Sequence, residues 1–127
     1  MGRIETAFIR HCLKPTVTCD LPGRLRLNYK SYQMLPKEAL PYLHYAQDVM
    51  AMLPGVQETQ VNPRIGTVLV TYDPKQTNRE DILRWIATAT DLGLELAAEI
   101  DWAHSDVSEQ ELVQMARRRL QLRLAAR

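Results

Sequence analysis

Leu21-Pro22-Gly23-Arg24-Leu25-Arg26-Leu27-Asn28-Tyr29 is the stretch that decides the fold. Leu25, Leu27 and Tyr29 alternate with Arg24, Arg26 and Asn28, and a period of two with one apolar face is a half-buried strand. Pro22-Gly23 in front of it is a bend or bulge signal, entered from Thr16 to Asp20, a segment rich in β-branched residues. Pro15 separates this region from what precedes it, because it lacks an amide hydrogen and restricts Lys14 to extended geometry. Ahead of Pro15, Ile4, Ala7, Phe8 and Cys12 fit a short amphipathic helix, and an extended reading fits nearly as well.

Downstream, Leu40, Leu43, Ala46, Met50 and Leu53 recur at helical spacing, and Pro54-Gly55 stops the run. Pro41 belongs in the first turn of that helix, which therefore starts near Lys37 or Glu38. Val56 to Asn62 and Thr67 to Tyr72 read as the two strands of a hairpin turned by Pro63-Arg64-Ile65-Gly66. Asn78 caps a second helix with the apolar stripe Ile82, Trp85, Ile86 and Ala89, and Gly93 is expected as its left-handed C-cap. Leu94, Leu96, Ala98 and Ile100 then alternate with Glu95, Ala97 and Glu99, which predicts a fourth strand. The order strand, helix, strand, strand, helix, strand is a ferredoxin-like βαββαβ sandwich, of class α+β. Its expected core is Leu25, Leu27, Tyr29, Leu43, Met50, Val68, Val70, Ile82, Ile86, Leu94 and Leu96.

An extra C-terminal helix follows. Ser108 and Glu111 form a capping box, and Leu112, Ala116, Leu120 and Leu124 lie on one line four residues apart. A lone stripe needs a covering, and the expectation is the open face of the sheet, a second copy of the chain or another protein. The chain thus divides into an N-terminal extension over residues 1–15, a ferredoxin-like domain over 16–101 and an amphipathic helix over 105–127.

Composition narrows the function classes. A length of 127 residues suits one domain, and a net charge of +1 gives no strong field for steering nucleic acid. No apolar run approaches the ~20 residues of a membrane span. Met1-Gly2-Arg3-Ile4-Glu5 lacks the basic-then-apolar pattern of a secretory signal, so a cytoplasmic location is expected. No phosphate loop, nucleophile elbow or spaced histidine pair is present, so no enzyme activity is expected.

The frame Leu21-Pro22-Gly23-Arg24-Leu25-Arg26-Leu27, Leu53-Pro54-Gly55-Val56, Asn62 through Pro74 and Leu92-Gly93 resembles the heavy-metal-associated (HMA) superfamily. The likeness is greatest to a divergent branch that opens with a Pro-Gly-Arg-x-Arg strand. In metal-carrying members a Met-x-Cys-x-x-Cys loop after the first strand grips a soft cation. The matching connection here, Tyr32 through Glu38, has no cysteine. The resemblance implies a module of metal homeostasis, transport or storage that works by contact with partner proteins, a membrane transporter among them. It carries no ligand over to this loop.

Two groups of candidate ligands remain. His11, Cys12 and Cys19 offer imidazole and thiolate to a soft cation, although zinc usually takes four such ligands. The competing account makes both cysteines small buried hydrophobes. His44, Met34, Met50 and Met52 are a thioether-rich set of the kind that suits copper(I) or haem, but Met50 lies on a core stripe. His104 has no evident partner. Arg117 to Arg119 complement a helix C-terminus and lack the interleaved aromatics of a nucleic-acid site. Arg24 and Arg26 are expected to pair across the sheet with Glu95 and Glu99. The function expected is therefore a non-catalytic, HMA-like module acting by protein contact, without a cofactor. The alternative is carriage of a metal ion or haem through His11, Cys12 and Cys19.

Overall fold

The computed structural model describes residues 12–29, 46–62, 64–99 and 109–126. In chain order these form β1 (Thr16–Leu21), β2 (Arg24–Asn28), α1 (Ala46–Ala51), β3 (Val56–Asn62), β4 (Thr67–Tyr72), α2 (Arg79–Glu99) and α3 (Glu109–Ala125). The strands make one antiparallel sheet in the order β1-β2-β4-β3. A four-stranded antiparallel sheet with helices is consistent with the ferredoxin-like α+β class.

Leu21 pairs with Arg24 across the two-residue turn Pro22-Gly23, where Gly23 has φ 81°. A side chain at Gly23 would meet the carbonyl oxygen of Tyr72 at 3.1 Å, so glycine is required by both its dihedral and its neighbour. The Gly23 carbonyl accepts from the Tyr72 amide at 3.0 Å, which ties the turn to β4. A bulge between Val17 and Cys19 resets the register of β1 against β2.

The inner face of the sheet carries Leu25, Leu27, Val70 and Tyr72. They share one apolar cluster with Met50 of α1, the following Leu53, Ile82, Trp85, Ile86 and Leu92 of α2, and Leu120 of α3. Leu25 and Leu27 are 0% exposed, and burial of each is worth about 1.5–3 kcal/mol. Leu94 and Leu96 are buried too, Val68 is partly buried, and Tyr29 packs against the cluster. Desolvation raises the Tyr29 phenol to about 12.

Three expectations are corrected. The segment from Leu94 to Glu99 is the last part of α2 and not a strand. Leucine, alanine and glutamate are strong helix formers, and Leu92 and Leu96 extend the stripe begun by Ile82, Trp85, Ile86 and Ala89. Gly93 lies within the helix and is not a left-handed cap; among the described residues the glycines with positive φ are Gly23, Gly55 and Gly66. The fourth strand is β1, from the N-terminal side, so the residues read as a lead-in to the Pro-Gly bend form a sheet edge.

Other expectations hold. The Asp81 amide donates to Asn78 Oδ1 at 2.9 Å, so Asn78 is the N-cap of α2. The hairpin β3–β4 pairs Val61 with Val68 and Asn62 with Thr67. Ile4, Ala7, Phe8, Leu40, Pro41, Leu43, Pro63, Ile100 and Ser108 lie outside the described residues, so the N-terminal helix, the start of the first main helix and the capping box do as well.

Candidate functional site: the open face of the sheet

Alternation on β2 sends Leu25 and Leu27 into the core and leaves Arg24 and Arg26 exposed on the other face. Register then places the neighbours of each arginine. Arg24 stands between Leu21 of β1 and Thr71 of β4, and Glu58 of β3 lies beyond Thr71. Arg26 stands between Cys19 and Leu69, with Gln60 beyond. A third row runs Thr16, Asn28, Thr67 and Asn62. The helical residues of the core cluster join the inner face, so this outer one is a polar surface with apolar points at Leu21 and Leu69. Leu21 is 54% exposed.

The expected partners of the two arginines are elsewhere. Glu95 and Glu99 belong to α2, and Glu95 faces Arg123 of α3 at 3.8 Å. Arg79 reaches Asp20 at 3.0 Å and Glu80 at 3.2 Å, Arg84 reaches Asp81 at 3.2 Å, and Arg117 lies 4.0 Å from Asp48. A backbone hydrogen bond, and after it the Arg79 guanidinium, lower the Glu80 carboxyl from its ordinary value. Arg24 and Arg26 have no carboxylate partner among the described residues. Glu58 is the one acid of the described strands on their face, and its Oε1 accepts from Gln60 Nε2 at 3.1 Å.

Cys12 and Cys19 occupy different surroundings. Cys12 is 1% exposed, and burial pushes its thiol up, which disfavours the thiolate that a metal needs. Cys19 is half-buried in the row of Arg26, whose positive charge opposes a cation beside it. Among the described residues no three His, Cys, Asp or Glu side chains gather as a metal site. His11, His44, Met34, His104 and the loop from Tyr32 to Glu38 lie outside the described residues. Met50 is core, and Met52 packs at its margin.

Along α3, Leu120 is 3% exposed and belongs to the core cluster, and Leu124 packs against it at the margin. Leu124 also lines a shallow hollow with Pro54, Gln76 and Thr77. Ala116 is half-buried, and α3 contacts α2. The helix therefore spends Leu120 on its own chain, on the helical side and not on the open face of the sheet. Sequence reading located Arg24 and Arg26 but assigned them the wrong neighbours. The signal that corrects it is the helix-forming composition of Leu92 to Glu99.

Among the described residues no helix is long and apolar enough to cross a membrane. No family model and no solved structure matches this chain. The chain is similar to part of the manganese-exporting P-type ATPase of Mycobacterium leprae (strain TN), 29% identical over 100 residues. Those residues are 79% of this chain and 13% of that protein, so the chain spans a small part of the relative it matches.

Proposed function

We propose that this chain is a non-catalytic module of metal homeostasis, acting in the cytoplasm by contact with protein, as an accessory or adaptor of a metal-exporting transporter. The observation that carries the reading is the similarity to part of a manganese-exporting P-type ATPase over 79% of this chain. The ferredoxin-like sheet with one face left to solvent supports contact as the mode of action. The missing cysteine pair between Tyr32 and Glu38 supports it further, since the usual grip on a soft cation is absent from that connection. Manganese favours oxygen donors, and the thiols of Cys12 and Cys19 are a poor match for it.

The test is manganese handling in cells that carry the chain. Expressing it beside a manganese-exporting P-type ATPase should change metal content under manganese load, measured by elemental mass spectrometry. Unchanged content with and without the chain counts against the reading. Cobalt titration of the reduced protein separates contact from carriage. Stoichiometric charge-transfer absorption abolished by Cys19→Ser would replace the contact reading with a carrier that binds through His11, Cys12 and Cys19.

A further inference from the structure

We propose that Arg24 and Arg26 on the open sheet face bind an acidic, extended segment of a partner protein that bears carboxylates on alternate residues. This rests on the contact reading above and names the chemistry of the partner.

The argument begins with contrast. Arg79, Arg84, Arg117 and Arg123 each reach a carboxylate of their own chain, all on or beside helices. Arg24 and Arg26 reach none among the described residues, although both are flanked by strands on either side and not at an edge. Two residues apart on one strand face, they stand about 6.5–7 Å from each other along the strand. Carboxylates on alternate residues of an extended segment have that same spacing. A planar guanidinium takes a carboxylate in two parallel hydrogen bonds, so the pair specifies orientation as well as charge. Leu21 beside Arg24 and Leu69 beside Arg26, on the flanking strands, give apolar contact to the methylene groups of those acidic side chains.

Other occupants fit less well. A second copy laid face to face brings Glu58 as the one acid of its described strands against two arginines. At least one guanidinium per copy would then be enclosed without a partner, which is strongly unfavourable. Attraction to an anionic membrane ordinarily takes clusters of about 4–8 basic residues. A single-stranded nucleic acid wants aromatic platforms, and the described strands place none on this face.

The experiment titrates the full chain into a fluorescein-labelled peptide with glutamate on alternate positions between valines, read by anisotropy. A matched peptide with glutamine at those positions, phosphatidylserine vesicles and an oligothymidine are run beside it. The expected result is saturable binding of the glutamate peptide that weakens with added salt and is at least tenfold tighter than that of the glutamine peptide. The double variant Arg24→Gln/Arg26→Gln should lose at least tenfold, with its circular dichroism and melting temperature unchanged. Arg118→Gln, an exposed arginine of α3, should bind as the parent does. Equal binding by the double variant, no binding of the peptide, or tighter binding to vesicles or oligothymidine overturns the proposal. A peptide that fails while the chain still alters manganese content removes this inference and leaves the function proposed above in place.

Discussion

The indole nitrogen of Trp85 donates a hydrogen bond of 2.9 Å to the backbone carbonyl of Val49, joining the first third of α2 to α1. Trp85 is 3% exposed, so this bond is made where water does not readily replace it. Trp85→Phe keeps most of the ring and removes this bond, while the Val49 carbonyl still accepts from the Met52 amide at 3.2 Å. It should destabilise the protein by about 0.5–1.5 kcal/mol, the net worth of one hydrogen bond. Trp85→Ala adds a cavity and should cost about 3–5 kcal/mol. Urea unfolding followed by circular dichroism measures both.

Glycines distinguish the observed α2 from a helix that stops at residue 93. Gly93 has nothing within 4 Å of an added side chain and lies in a helix interior, so Gly93→Ala should stabilise by about 0.4–1 kcal/mol. Gly55 is the opposite case. Its φ is 98°, and an added carbon would lie 2.9 Å from Gln76 Cβ and 3.0 Å from Thr77 Cγ2. Gly55→Ala should therefore cost more than the ~1–2 kcal/mol of a left-handed residue alone. A melting temperature that falls in Gly93→Ala would speak for a left-handed cap there.

Leu120 and Leu122 sit two residues apart on α3 with opposite surroundings, 3% and 70% exposed. Leu120→Ala should cost about 2–5 kcal/mol, and Leu122→Ala should stay within about 0.5 kcal/mol. Sedimentation of the same two variants reports on association. If Leu122 serves a partner or a second copy, Leu122→Ala alters mass or binding without altering stability.

Tyr29 gives the fold a dependence on alkaline pH. Its folded-state pKa, raised to about 12 by burial, lies above the ordinary value of 10.0, so the unfolded chain loses this proton first. The stabilisation from the protonated phenol is complete below the unfolded value and falls away as pH rises from about 10 through about 12. Tyrosinate absorbance should show a late-titrating component that is missing in Tyr29→Phe. The variant should also unfold with a shallower alkaline slope.

Much of this architecture is legible in the residues themselves. The alternation of β2, the paired strands β3 and β4, the Asn78 cap and the helix from Glu109 each follow from a local rule, and local rules settle them. The run from Leu92 to Glu99 satisfies two rules at once. Leu94, Leu96 and Ala98 fit a period of two, whereas Leu92 and Leu96 fit the helical stripe of Ile82 and Trp85. Propensity decides between them, and Gly93 costs a helix only about 1 kcal/mol. For the same reason Thr16 to Leu21 is under-read, because its place at the edge depends on which other strand is missing. The exposure of Arg24 and Arg26 is readable from alternation. Their lack of partners is a property of the whole sheet, and no local pattern contains it.

The two-residue link at Pro22-Gly23 also bears on how the molecule assembles. A closing strand drawn from beyond Gly93 would meet β2 only after most of the chain had been collected, at the entropic cost of a long loop. With β1 beside β2 in sequence, that edge zips as a hairpin, an event of about 1–10 μs. The slow search is left to Leu25 finding Val70 across the intervening helix and hairpin, a pairing of distant residues. Nascent chain emerging from a ribosome would thus sample the β1–β2 ribbon early, marginal on its own, and hold it only once β4 and the helices that roof its other side have been made.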